Sequence, residues 1–253
     1  MSESSAFPLI VFAFSLAAQW LAAFLGNCLR TTTGGFGKAS HQDIDIILGA
    51  SMTLLALMVG FSFSMAVTRY DLRKNYEEAE ANAIGTAFLR ADLLPAGDAA
   101  RLRSLLKKYL DLRIAFYAVY NPQQIDKITA NTADMQIKLW QAVLPAANAN
   151  PTPVAALAVA SINDVLSAQG NAQAAWLNRL PAGVWAIMGL VALATNVLIG
   201  VSERRKGMLL LLILPVILSI SFLLIADIDN PRGGLIPILP RNLTTVTHAL
   251  GGT

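Results

Sequence analysis

The sequence predicts an all-α, multi-pass membrane protein with four transmembrane helices and a helical soluble block between the second and the third. Its 253 residues are 55% hydrophobic and only 14% charged. Apolar tracts of about 20 residues recur, the length that a helix needs to cross a bilayer core. The charges are segregated, because 22 of the 35 Lys, Arg, Asp and Glu residues lie between positions 68 and 180. No segment shows the alternating pattern of a β-strand.

The second transmembrane helix is predicted to continue out of the membrane. Residues 44–67 are apolar almost throughout, and the charged stretch that follows contains no helix breaker before Pro95. A single helix should therefore pass from lipid into water near Thr68 and extend for several further turns. Its polar part carries three glutamates that are predicted to form a solvated acidic face, namely Glu77, Glu78 and Glu80.

Two stripes of side chains run along the apolar part of this helix at a spacing of three or four residues, which places each stripe on one face. Packing against lipid or other helices explains both stripes. The functional alternative is a pore in an oligomer, with Phe61 or Phe63 as an apolar constriction. The first stripe is Gly49, Thr53, Ala56, Gly60 and Ser64, and the second is Leu54, Met58, Phe61 and Met65. The candidate pore-lining residues are Thr53, Met58, Gly60, Phe61, Phe63 and Ser64.

Apolar tracts at residues 7–26, 181–201 and 208–226 provide the other three spans, and Pro215 predicts a kink in the last of them. In the soluble block, Asp98 is expected to cap the second helix. Two further helices are expected at about residues 133–144 and 154–178. The predicted domains are residues 1–67 with the first two transmembrane helices, 68–180 as the soluble helical domain, 181–226 with the last two transmembrane helices, and 227–253 as a post-membrane turn and tail.

Motifs of catalysis are absent from the sequence. Neither of its two histidines, His41 and His248, has a Cys, Asp or Glu partner at a metal-ligand spacing, and the single cysteine, Cys28, excludes a zinc site built on cysteines. No P-loop, dinucleotide fingerprint or nucleophile motif occurs. A net charge of +3 without basic, aromatic-rich tracts does not indicate nucleic-acid binding. We therefore expect neither an enzyme nor a cofactor.

Two charged clusters are candidate sites. Asp227, Asp229 and Arg232 follow the fourth span, where carboxylates are costly unless they are hydrated or paired. They form either a helix exit with a Pro/Gly turn, or a site that holds a hard cation such as Ca²⁺ or contacts a neighbouring subunit. The hairpin between the third and fourth spans either anchors to lipid headgroups or draws anions to a vestibule. Its basic residues are Arg204, Arg205 and Lys206.

Four segments of the chain resemble the bestrophin-like domain family of prokaryotic membrane proteins, and the resemblance covers residues 44–238. The segments are G-F-S-F-S-M-A-V-T-R-Y-D at 60–71, E-A-N-A-I-G-T-A-F-L-R-A-D-L-L-P at 80–95, Y-L-D-L-R at 109–113 and D-I-D-N-P-R-G-G-L-I at 227–236. The family is distantly similar to bestrophins, which are ligand- or volume-gated channels. Most of these channels conduct anions, although some prokaryotic relatives conduct cations.

The resemblance implies a pentamer with one axial pore lined by the second helix. Its partners would be the lipid bilayer, its own copies and small inorganic ions. It implies a location in the inner (plasma) membrane, with both termini and the helical block in the cytoplasm; counting charges does not decide this orientation. Animal bestrophins bind calcium with an acidic segment after the last membrane helix, where Asp227 and Asp229 lie here, although this chain lacks the long acidic run. The residues leave open a non-conducting scaffold or sensor whose helical block binds a partner.

Overall fold

The computed structural model of the chain describes residues 3–33, 41–149, 151–202 and 208–251. The described residues form eight α-helices and a short 3-10 helix at Ala91–Leu93, with no strand among them, so the all-α prediction is confirmed. The helices are α1 (Glu3–Thr33), α2 (His41–Arg90), α3 (Ala96–Ala118), α4 (Pro122–Ala149), α5 (Pro153–Leu177), α6 (Ala182–Ser202), α7 (Met208–Asp229) and α8 (Arg241–Ala249).

Helix α2 is 50 residues long and contains no proline, which confirms that the second helix continues beyond the apolar tract. Candidate membrane-spanning stretches, each with an 18-residue window of mean hydropathy between 2.0 and 2.2, occur in four parts of the described chain. They are Ala6–Thr32, Asp43–Leu93, Pro153–Ser202 and Leu212–Asp229. The protein is therefore a four-span helical membrane protein, as predicted.

The chain divides into two compact units. The first, here called the membrane unit, comprises Met1–Arg69 and Arg179–Pro237. The second, here called the helical unit, comprises Tyr70–Asn178 together with the C-terminal Ile238–Thr253. Helix α8 is thus part of the helical unit although it follows the last transmembrane helix in sequence.

Within the membrane unit, α1 and α6 cross at two glycines. A Cβ atom on Gly26 would lie 2.1 Å from the carbonyl oxygen of Val197, and one on Gly200 would lie 2.1 Å from the carbonyl oxygen of Ala23. Small residues of this kind let helix backbones approach closely in a membrane. A small apolar core also joins α2, α6 and α7, and its buried members are Leu55, Met188, Ala192, Leu218 and Phe222.

A buried polar group links α1, α6 and α7 in the same unit. The side-chain amide of Gln19 donates to the hydroxyl of Ser219 at 3.1 Å, and that of Asn196 donates to the Gln19 carbonyl oxygen at 3.2 Å. All three side chains are almost fully buried. Because water is absent from a bilayer core, such hydrogen bonds between helices satisfy groups that would otherwise be unpaired.

The helical unit has a larger core, to which α2, α3, α4, α5 and α8 all contribute. Its fully buried members include Ile84, Leu102, Leu106, Leu139 and Ile162. Leu102 and Leu106 are four residues apart and therefore lie on one face of α3. Leu243 of α8 is also fully buried in this core.

Three details of the predicted helices are wrong. Helix α3 starts at Ala96 after an N-cap at Pro95, so Asp98 lies in the first turn rather than at the cap. Helix α4 is about twice as long as predicted, because Asn121 caps its start by accepting from the backbone N–H of Gln123, and because it continues through Pro145. Helix α1 extends to Thr33, seven residues beyond the end of the apolar tract at 7–26 that predicts it.

Candidate functional site

The transmembrane part of α2 buries one face against its own chain and leaves a wide face exposed. The buried positions recur at helical spacing, and they are Ile44, Leu55, Ser62 and Ala66. Of the residues predicted to line a pore, Thr53, Gly60, Phe61, Phe63 and Ser64 are exposed. The hydroxyl of Thr53 donates to the carbonyl oxygen of Gly49 at 2.9 Å, so its hydrogen can be satisfied inside the helix while its side chain faces outward.

The predicted pore-lining residues do not share a single face of α2. Met58 is half-buried and packs against the small core of the membrane unit. Gly60 and Phe63 line an apolar groove of about 570 Å³ between α2 and α7. Phe61, whose side chain is 62% exposed, points to the other side of the helix, because two residues correspond to about 200° of rotation at 3.6 residues per turn.

The turn after α7 is organised by the carboxylate of Asp227, which is almost fully buried. Its two oxygens accept hydrogen bonds from the backbone N–H groups of Leu235 at 2.7 Å and Ile236 at 3.0 Å. Gly234 has φ +108°, and a Cβ atom there would lie 1.8 Å from an Asp227 carboxylate oxygen. The spacing of this D-I-D-N-P-R-G-G-L-I segment therefore has a local structural cause.

Asp229, the last residue of α7, plays a similar part for the loop that precedes α6. Both of its carboxylate oxygens lie near the backbone N–H of Leu180, at 3.0 and 3.1 Å, which ties the end of α7 to the start of α6. Arg232 is half-buried in the same turn. Among the described residues, no group of three His, Cys, Asp or Glu side chains is placed to hold a metal ion. The helix-exit interpretation accounts for these contacts, and cation binding stays a prediction.

The basic cluster predicted at a vestibule, Arg204, Arg205 and Lys206, lies outside the described residues.

The Tyr70–Arg90 part of α2, here called the α2 extension, contains a set of buried charges that sequence reasoning missed. The predicted solvated face is wrong for Glu77 and Glu80, which are almost fully buried, and right for Glu78 alone. Arg73 is also fully buried, and it donates to the carbonyl oxygens of Ala175 at 3.1 Å and Asn178 at 2.8 Å. These carbonyls lie at the C-terminus of α5, where the helix dipole favours a cation.

Glu77 makes the complementary contact with the N-terminus of α8. One carboxylate oxygen accepts from the backbone N–H of Leu243 at 2.9 Å, and the other accepts from the side-chain amide of Asn242 at 2.6 Å. An anion is favoured at a helix N-terminus because the first N–H groups of a helix have no partner inside it.

Glu80 pairs with Arg113 of α3 inside the core. Arg113 Nε donates to one carboxylate oxygen at 2.5 Å and Nη2 donates to the other at 3.2 Å, and neither side chain is exposed to solvent. The Tyr109 hydroxyl also donates to this carboxylate, at 3.4 Å. Burial raises the pKa of the Tyr109 phenol, and the Glu80 charge raises it further, so this tyrosine stays neutral.

The guanidinium of Arg113 also lies 4.6 Å from the ring centre of Phe116. That ring packs edge-on against Tyr117 and Trp176, with centroid distances of 5.6 and 5.4 Å. Burial alone would lower the pKa of Arg113, but the adjacent Glu80 carboxylate outweighs it and the pKa is raised. Burial also raises the pKa of Glu80, and the adjacent Arg113 guanidinium opposes that rise. The pair in its aromatic setting is a structural arrangement with no reacting group beside it.

One feature of the sequence could have identified these residues. Arg73, Glu77, Glu80 and Ile84 are spaced by four, three and four residues, so they lie on one helix face. Because Ile84 is apolar and the helix is long, a buried face with paired charges was an available interpretation.

Comparison with known proteins agrees with this fold. The sequence matches the family model of the Bestrophin-like domain over residues 9–243. No curated protein sequence matches the chain. Solved structures of a bacterial Bestrophin homolog from Klebsiella pneumoniae superimpose on nearly the whole chain, at 15–16% sequence identity.

One mutant of that homolog has a TM-score of 0.70, with 15% identity and 96% of each chain covered. Another mutant has a TM-score of 0.67, again with 15% identity, and covers 94% of this chain and 97% of its own. A third structure of the homolog has a TM-score of 0.66, with 16% identity, and covers 94% of this chain and 96% of its own. At such identities the likeness shows the fold, and the family match covers most of the sequence. The chain belongs to the Bestrophin-like domain family.

Proposed function

We propose that the chain is one subunit of a homo-oligomeric ion channel whose axial pore is lined by α2, and that it conducts anions, as the resemblance to bestrophins implies. Membership of the Bestrophin-like family supports ion conduction. The structural observation that carries the proposal is the outward face of α2. Thr53 and Ser64 are exposed on this face within the subunit, although hydroxyl groups gain little from contact with lipid.

The proposed pore has an apolar constriction. No charged residue occurs in α2 between Asp45 and Arg69, so this stretch offers permeating ions no fixed charge. Phe61 projects from the exposed surface with 62% of its side chain accessible. A ring of such side chains would form a barrier that gates by excluding water.

The assembly proposed is a pentamer in the inner membrane, with both termini and the helical unit in the cytoplasm, as the resemblance implies. The membrane unit leaves many large apolar side chains exposed, which suits contact with lipid and with other subunits. Native mass spectrometry of the purified oligomer tests the subunit number. Cleavage of the helical unit by protease added outside sealed right-side-out vesicles would contradict a cytoplasmic location.

The direct test is ion flux from liposomes that contain the purified oligomer, with chloride and potassium gradients imposed separately. Flux that follows the chloride gradient supports the proposal in full. Flux that follows potassium keeps the channel and overturns its anion selectivity. Silence in both gradients, with intact oligomers, would favour the alternative of a non-conducting scaffold or sensor whose helical unit binds a partner.

A matched pair of variants tests the pore assignment. Phe61→Ala should raise the leak through the pore, because it removes an apolar ring from the constriction. Leu190→Ala on α6 is the control, since Leu190 is also strongly exposed, at 68%, but lies on another helix. Equal flux through the two variants would mean that Phe61 is a packing or lipid-facing residue.

A further inference from the structure

The contact between Glu77 and α8 is unlike the other charged contacts of the α2 extension. Helix α8 has only nine residues, and the residue at its N-cap, Pro240, offers no side-chain cap. Glu77 supplies what that end lacks, because its carboxylate accepts from the backbone N–H of Leu243 and from the side chain of Asn242. The N-terminus of α8 is thus capped by a residue of α2 rather than by its own segment.

Apolar contacts attach α8 to the helical unit through few residues. Leu243 is fully buried in the core, while Val246 and Leu250 are partly buried against it. A helix of nine residues is too short to be stable alone in water, where about 12–15 residues are marginal. The helix should therefore unfold when it leaves the unit, so that docking and folding of α8 are one event.

The other buried charges of the extension hold elements that cannot leave so easily. Arg73 binds the end of α5, a helix of 25 residues, and Glu80 binds Arg113 of α3, a helix of 23 residues. Both helices contribute several fully buried residues to the core. Losing either one would open the whole unit, whereas losing α8 removes mainly the side chain of Leu243 from the core.

We propose that α8 detaches reversibly from the α2 extension, and that its docking controls the pore that α2 lines. With α8 docked, the buried charges of the Tyr70–Arg90 part of α2 bind three elements, namely α3, α5 and α8. With α8 undocked, these charges bind two elements, and the carboxylate of Glu77 becomes accessible to water. The control of the pore rests on the proposed channel function, whereas the detachment of α8 does not.

Amide hydrogen exchange on the full-length oligomer tests the detachment. Glu77→Ala should accelerate exchange in peptides from α8 by at least about tenfold, because a helix cap is lost, and should leave α3 and α5 unchanged. Glu78→Ala is the matched control, since Glu78 is the next residue on the same helix and is exposed. Asn242→Ala, which removes only the second hydrogen bond, is a milder variant that keeps the test decisive if Glu77→Ala fails to fold. Exchange in α8 equal to that of the control, or acceleration spread over the whole helical unit, would refute the independent detachment of α8.

Liposome flux then tests the control of the pore. The initial flux of Glu77→Ala or Asn242→Ala should differ at least threefold from that of Glu78→Ala, and the sign shows whether docked α8 holds the pore open or closed. Accelerated exchange with unchanged flux would overturn the control and leave α8 as a loosely attached tail. A wild-type oligomer that conducts nothing would refute the channel function and the control together, while the exchange data would still decide whether α8 detaches.

Discussion

Substitution of Gly200 by alanine tests the packing on which the membrane unit depends. A Cβ atom at this position would lie 2.1 Å from the carbonyl oxygen of Ala23 and 2.7 Å from the backbone nitrogen of Asn27. Both atoms belong to the backbone of α1, which cannot rotate away as a side chain would. The helices must therefore separate locally if a methyl group is added.

The size of the effect follows from the distance to be gained. Contacts to Cβ atoms below 3.0 Å essentially never occur, so α1 and α6 would have to move apart by roughly 0.9 Å at their crossing. Overpacking of this kind typically costs about 1–3 kcal/mol. A loss of about 2 kcal/mol corresponds to a melting midpoint lower by roughly 4–8 °C for a chain of this size.

The assay is thermal unfolding of the purified oligomer in one detergent, and Gly189→Ala is the control on the same helix. No heavy atom lies within 4 Å of a Cβ built on Gly189, so that variant gains helix propensity without a clash. We expect Gly200→Ala to melt several degrees below Gly189→Ala. Midpoints within 1 °C of each other would refute the close crossing of α1 and α6.

Three further predictions concern the turn after α7 and the buried ion pair. Gly234→Ala should lower the melting midpoint, since its φ of +108° and the Asp227 carboxylate leave no room for a Cβ atom; a midpoint equal to that of wild type would contradict this turn geometry. Asp227→Asn should also lower the midpoint, because one acceptor oxygen is replaced by a donor that faces a backbone N–H. Calcium should shift the midpoints of the variant and the wild type equally. A calcium-dependent rise confined to the wild type would instead support a cation site. Arg113→Leu should destabilise the helical unit by about 3–5 kcal/mol, because it leaves the Glu80 charge buried and unpaired. The double variant with Glu80→Leu should recover much of that loss. A double variant no more stable than the single one would show that the pair matters for more than its charges.

The elements that the sequence predicted correctly depend on local pattern and composition. The apolar tract of α2 and the unbroken stretch that follows it are visible in the order of the residues, and both were found as one helix. The turn after α7 is also local, because Asp227 and the N–H groups it binds are only eight and nine residues apart. The sequence predicts either a helix exit with a Pro/Gly turn or a site for a cation or a neighbouring subunit, and the caps that these residues form depend on atomic positions.

The contacts of the α2 extension could not be predicted in the same way, because each one joins distant parts of the chain. Glu77 and Asn242 are 165 residues apart, and Arg73 and Asn178 are 105 residues apart. Local reasoning assigns a charged side chain on a helix to water, because burying an unpaired charge is costly. That cost is offset here by helix ends, whose unpaired carbonyl and N–H groups provide partners of the right sign for Arg73 and Glu77. A charge that shares a face with buried apolar residues is therefore better interpreted as a cap for another helix than as part of a solvated surface, provided that the chain has free helix ends to bring to it.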